Sequence, residues 1–145
     1  LKFKSGVPRH LLSFFPSHNL TAAKHNMEAL VIRHVPIVDA NKCLLGVVSQ
    51  RDVLAAQESS LQKIPENQSF TLDTPIYEVM KTGVMTVSPQ AGLKESAIYM
   101  QKHKVGCLPV VEKGHLVGII TDSDFVAIAI NLLELLEEVE PEEVE

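Results

Sequence analysis

The chain has 145 residues, 46% hydrophobic and 21% charged, the balance of a globular domain, which excludes a disordered or fibrous chain. Its formal charge of −5 is concentrated at one end: seven of the 18 acidic residues lie between Glu134 and Glu145, and the body keeps 13 basic and 11 acidic groups, which gives no general basic footprint for nucleic acid. Cys43, Cys107 and six scattered histidines offer neither a disulfide framework nor metal-ligand spacing, and the longest apolar run, Phe125 to Ile130, is far short of a membrane span.

From its start, the chain shows no basic-then-apolar leader, and with so few cysteines the expectation is a cytoplasmic protein without membrane insertion. Leu11 to Phe15 reads as a short strand stopped by Pro16. Asn19 is placed to cap a helix whose apolar stripe is Leu20, Ala23, Met27 and Leu30. Val35 to Val38 and Leu44 to Val48 then read as a hairpin, with Pro36 near a strand start where a missing N–H is tolerated. After Ser49 the pattern turns helical to about Ala56, and Gln57 to Asp73, rich in Ser, Gln, Pro and Asn, reads as a connecting loop.

Thr74 and Pro75 suggest the cap and first position of a short helix running through Ile76, Val79 and Met80. The earlier order then returns. Val84 to Ser88 is a strand, Leu93, Ala97 and Met100 mark a helix, and Leu108 to Val111 with Leu116 to Ile120 form a hairpin around Lys113 and Gly114. A last helix begins at about Asp122, with Ile128, Leu132 and Leu135 along one side, and ends in a Glu-rich tail expected to be solvated.

This return is a duplication. Pro16, Leu20, Met27 and Pro36 recur 73 residues later as Pro89, Leu93, Met100 and Pro109, and Gly46, Ser49 and Asp52 recur 72 later as Gly118, Thr121 and Asp124. The one-residue slip falls in the hairpin turns, where insertions are tolerated. The predicted organisation is a first repeat over 6–56, a linker over 57–73, a second repeat over 74–130, and a helix end with acidic tail over 131–145. The fold class is mixed α/β (α+β), two β-α-β-β-α units with strands too apolar to face water.

The densest signal is the junction Gly46-Val47-Val48-Ser49-Gln50-Arg51-Asp52 and its copy Gly118-Ile119-Ile120-Thr121-Asp122-Ser123-Asp124. Ser or Thr followed three residues later by an acidic residue is a capping box for a helix N-terminus. Two features favour a ligand as well. The longer Glu is the better side chain for closing the box, yet both copies carry Asp. Moreover, a strand-to-helix junction presents helix N–H groups and a favourable dipole to an anion, while an ionised Asp accepts from vicinal ribose hydroxyls.

Taken together, Val35-Pro36-Ile37-Val38 with Gly46 to Asp52, and Leu108-Pro109-Val110-Val111 with Gly118 to Asp124, resemble a tandem pair of CBS domains, a Bateman module. Val79-Met80 and Val84 to Pro89 resemble the family's lead-in to its second repeat, and the likeness spans roughly residues 6 to 130. It implies two repeats packed sheet to sheet with pseudo-two-fold symmetry, leaving two clefts, as in stand-alone bacterial members. Such clefts take adenosine-containing ligands: AMP, ADP, ATP or S-adenosylmethionine. Carried over by position, His34, Val35 and Pro36 would line one adenine slot and Cys107, Leu108 and Pro109 the other. Asp52 and Asp124 would hold ribose, Ser49 and Thr121 would reach ribose or phosphate, and Ser13 and Thr86 would meet the base edge. Arg51 would face phosphates, whereas the second copy has Ser123 there and an additional Asp122, so the first site is expected to accommodate phosphates better.

The resemblance implies a non-enzymatic regulatory module with no required cofactor. An adenosine nucleotide, AMP or ATP, would serve as signal, a homodimer as the assembly, and an unidentified regulated protein as the partner. The alternative is a structural or oligomerisation domain whose two boxes only cap helices. No Gly-rich phosphate loop, nucleophile elbow or carboxylate cluster points to catalysis, and Cys107 reads as a small buried hydrophobe rather than a nucleophile.

Overall fold

A computed structural model of the chain describes residues 13–63 and 74–139. In order, helix α1 (Leu20–Leu30) leads to strands β1 (His34–Val38) and β2 (Leu44–Ser49) and to helix α2 (Gln50–Lys63). A single 3-10 turn, Ile76–Glu78, precedes α3 (Leu93–His103), β3 (Cys107–Glu112), β4 (His115–Thr121) and α4 (Asp122–Val139). The expectation of a mixed fold built from two like halves holds, with one antiparallel hairpin in each half.

The duplication extends to backbone detail. Asn19 caps α1 as expected, its Oδ1 accepting from the Ala22 N–H at 3.1 Å. Helices α1 and α3 both end on a left-handed residue, Val31 at φ 55° and Lys104 at φ 54°, 73 positions apart. Each hairpin register slips at the same place, between Ile37 and Val38 and between Val110 and Val111. The first turn is held by Asp39, whose Oδ1 accepts from the N–H groups of Asn41 and Cys43 at 2.9 Å. The second is tighter, with Lys113 and Gly114 both at positive φ.

Several expectations need correction. The strand over Leu11 to Phe15 reduces, among the described residues, to one parallel rung between Phe14 and Ile37, and Leu11 lies outside them. Val84 to Ser88 likewise reduces to the rung between Val87 and Val110. Proline explains this. Val87 donates to the Pro109 carbonyl and accepts from Val111 N–H, so the next parallel rung toward Met85 would require an N–H on Pro109, which has none. Pro36 imposes the same limit beside Phe14.

Helix α2 continues to Lys63, seven residues into the stretch read as loop. Thr74 does not cap: Pro75 precedes the 3-10 turn without a side-chain cap bond, and the Thr74 carbonyl accepts from Leu20 N–H. In α1, Leu30 is exposed rather than part of the buried stripe. In α3 the buried positions are Ser96 and Met100. Ser96 stands where the first repeat has Ala23, and its hydroxyl is satisfied by donating to the Gly92 carbonyl at 2.9 Å.

Each half has its own core. The first gathers Phe14, Leu20, Met27, Val35, Ile37, Val48 and Val53; the second centres on Met100, Leu108, Val110 and Ile120. Ile76, fully buried, packs in the first core although it lies on the lead-in to the second repeat. That segment is tied down by Ile76 N–H donating to His18 O and by a two-bond bridge between Val47 and Lys81. The hairpins themselves meet at their turns, where Cys43 bridges His115 and Leu116 N–H donates to Lys42 O at 2.8 Å.

Candidate functional site

Strand β2 delivers Ser49 to the start of α2, and the capping box closes there. Ser49 N–H donates to Asp52 Oδ2 at 2.8 Å, and Asp52 N–H donates to Ser49 Oγ at 3.0 Å. The second junction does the same, with Thr121 N–H to Asp124 Oδ2 at 2.8 Å and Asp124 N–H to Thr121 Oγ1 at 3.3 Å. Asp therefore does close the box, and its use does not by itself point away from capping. The helix starts are also fastened alike: Gln50 N–H donates to Arg33 O, and Asp122 N–H to Gly106 O.

A cleft of about 960 Å³ opens along the first junction and runs between the repeats. Seven of the residues proposed from sequence line it: His34, Ser49, Arg51, Asp52, Cys107, Leu108 and Pro109. The arrangement differs from the expected pairing of one slot per repeat, because His34 and the Cys107 to Pro109 segment share this one space. Val35 and Pro36 do not reach it. Val35 is turned into the first core and Pro36 is fully buried. Thr86 lines a smaller cavity of about 260 Å³ beside Cys43 and Val84. Ser13, Thr121 and Asp124 line neither. Lys81 to Met85 also line this cleft, and the stretch 73 positions earlier, residues 8–12, is outside the described residues.

Sequence reasoning missed several lining residues. Arg33 and Gly106 immediately precede His34 and Cys107, and Lys81 immediately follows the Val79-Met80 pair, so adjacency to the quoted motifs was the available signal. Tyr99 and Lys104 come from α3 and its left-handed end, with no motif of their own.

Charge in the cleft is mixed but mainly positive: Arg33, Arg51, Lys81 and Lys104 face Asp52 and Asp122. Lys81 Nζ lies 3.7 Å from Asp52 Oδ1. His34 is held below the ordinary imidazole pKa, chiefly by burial and also by Arg33 and Lys81, against the opposing pull of Asp122 and Asp52. Burial, reinforced by Asp122, pushes the Cys107 thiol up to about 12, so it is a neutral lining group and not a nucleophile. Chemically the cleft offers the edge of the Leu108–Pro109 segment, which is itself almost wholly buried, a second Asp52 carboxylate oxygen beside Lys81, and cations for an anionic group. Among the described residues no cluster of His, Cys, Asp and Glu could hold a metal ion, and no helix is long and apolar enough to cross a membrane.

The comparisons with known proteins agree with this architecture. A provisionally assigned acetoin utilization protein (AcuB) from Vibrio cholerae has a solved structure that superposes with a TM-score of 0.82, at 66% identity, over 97% of this chain and 98% of that one. The structure of CBSX2 in complex with AMP matches at 27% identity and a TM-score of 0.75, over 90% and 97% of the two chains. A CBS domain-containing protein of Dictyostelium discoideum is 32% identical over 79% of this chain and 81% of its own length. Some other curated relatives are far longer, and the chain spans 23% of an inosine-5'-monophosphate dehydrogenase of Halalkalibacterium halodurans. The CBS domain model matches twice, over residues 7–59 and 76–131. The chain belongs to the CBS domain family and carries a tandem pair of these domains.

Proposed function

We propose that the chain is a regulatory module that binds an adenosine-containing nucleotide in the cleft between its repeats and passes occupancy to a partner protein. The observation that carries this reading is the convergence of Ser49, Arg51 and Asp52 from one repeat with Cys107, Leu108 and Pro109 from the other. A ligand touching both walls favours one packing of the halves, and a partner that prefers that packing feels the shift. The AMP bound by CBSX2, a relative of the same fold, supports an adenosine ligand. AMP or ATP fits the cationic lining better than a neutral adenosine, with ADP and S-adenosylmethionine as the other members of the class. In this reading the module works in the cytoplasm as a homodimer, without catalysis of its own. The 66% identity to the Vibrio cholerae protein makes proteins of acetoin utilization the first place to look for the regulated partner.

Thermal unfolding with AMP, ADP, ATP and S-adenosylmethionine tests the reading. A ligand at 100 times its dissociation constant stabilises the folded state by about 2.7 kcal/mol. A second reading, a structural or oligomerisation domain without ligand, is favoured by one observation: in both repeats the Ser/Thr and Asp side chains satisfy each other's backbone N–H groups, which is a complete structural role for these residues. No stabilisation by any of the four ligands supports that alternative.

A further inference from the structure

Asp52 uses its two carboxylate oxygens differently. Oδ2 accepts the Ser49 N–H at 2.8 Å and is committed to the start of α2. Oδ1 is the oxygen left for a ligand hydroxyl, and Lys81 stands on it at 3.7 Å. Lys81 is no stray surface lysine. Its backbone exchanges two hydrogen bonds of 2.9 Å with Val47, on the strand that leads to the box. Gly46 makes room for this, since a Cβ there would fall 2.6 Å from the Lys81 carbonyl oxygen. The main chain therefore fixes where Lys81 begins, while its side chain is 71% exposed and free to swing against an Asp52 that is only 13% exposed. An exposed ion pair of this kind is weak and easily exchanged.

A ligand whose hydroxyls bond Asp52 Oδ1 competes with that ammonium. An unphosphorylated adenosine offers the displaced lysine nothing in return. A phosphorylated one offers phosphate oxygens, a stronger partner for a compact ammonium on a flexible stem. We propose that Lys81 makes the cleft selective for phosphorylated over unphosphorylated adenosines, by passing from Asp52 Oδ1 to the ligand phosphate when the nucleotide enters. The inference rests on the adenosine reading and adds its selectivity. Arg33, Arg51 and Lys104 line the same cleft and raise affinity for any anion, but no ion pair ties them to Asp52.

Calorimetric titration of the full chain with AMP and with adenosine, on the parent protein and on Lys81→Gln and Lys81→Arg, tests this. The parent binds AMP more tightly than adenosine. Lys81→Gln weakens AMP by about tenfold, the loss of one charge-assisted contact, while adenosine binds as before or better because Asp52 is no longer occupied. Lys81→Arg keeps the preference. Equal weakening of both ligands by Lys81→Gln, or an unchanged AMP-to-adenosine ratio, overturns the proposal and leaves the adenosine reading standing. Failure of the parent to bind either ligand overturns both. The variant keeps the Val47 backbone bridge, and its urea unfolding midpoint verifies that it is folded.

Discussion

His34 and Gly106 interlock across the boundary between the repeats: a Cβ added to Gly106 would lie 2.8 Å from both Cε1 and Nε2 of the imidazole. By the repeat spacing, Gly106 is the counterpart of Arg33 and Cys107 the counterpart of His34. All four line the same cleft. The copies have thus diverged where they meet, with a large residue in one half seated on the smallest in the other.

This fit predicts a coupled pair. Gly106→Ala forces the ring to move, but the ring is the far end of a side chain, so the cost is about 1 kcal/mol rather than collapse. In a His34→Ala background the two close contacts are gone, Asp122 Oδ2 at 3.8 Å is an ordinary contact, and the same change is close to neutral. Urea unfolding of the four proteins measures the coupling, expected at about 0.5–1 kcal/mol for residues in direct contact. Additive costs would show that the two residues do not touch.

The lowered pKa of His34 sets a pH dependence. Burial is the main cause, so the folded state binds a proton less readily than the unfolded chain. The stability linked to His34 is therefore fully present above the unfolded imidazole value of 6.5 and is lost as pH falls through the folded pKa below it. Stability should rise with pH in that window, and His34→Gln should flatten the slope there. Proton NMR titration of the His34 ring reads the folded value directly, and a midpoint at or above 6.5 contradicts the prediction.

The fold was legible because its signals are local and doubled. Asn19, the prolines and the two Gly-to-Asp junctions specify caps and strand ends by short-range chemistry, and the 72- to 73-residue spacing fixes how the halves correspond. What escaped depends on neighbours distant in sequence. Among the described residues the first strand of each repeat shows one rung, and the partner strand carries proline at the next donor position. Seven of the thirteen proposed site residues line one cleft, while Val35 packs in the first core. Arg33, Lys81 and Gly106 lie next to the quoted motifs in sequence, but that they share one cleft follows from how the two repeats meet.

The two capping aspartates should separate when tested for binding. Asp52→Ala and Asp124→Ala each remove a box that satisfies helix N–H groups, at a cost of about 0.5–2 kcal/mol in stability. Only Asp52 also lines the cleft. The expected result is a similar fall in unfolding free energy for both variants and a loss of AMP affinity confined to Asp52→Ala. Greater loss of affinity from Asp124→Ala would place the phosphorylated ligand in the other repeat, away from Arg51.

Cys107 reports on the cleft from its wall. With its thiol held up at about 12 by burial and by Asp122, it is almost wholly protonated at pH 8. Alkylation requires the thiolate, so in a Cys43→Ser protein the remaining cysteine should react much more slowly than an ordinary exposed thiol. Unfolding in urea should restore the ordinary rate. Asp122→Asn removes the smaller of the two causes and should speed the reaction modestly in the folded protein, leaving burial as the main protection. AMP should slow it further, because Cys107 and the Ser49 to Asp52 wall share one space. Rapid labelling of the native protein would mean that Cys107 is not held in the apolar setting described, and labelling indifferent to AMP at saturation would separate the ligand from this wall.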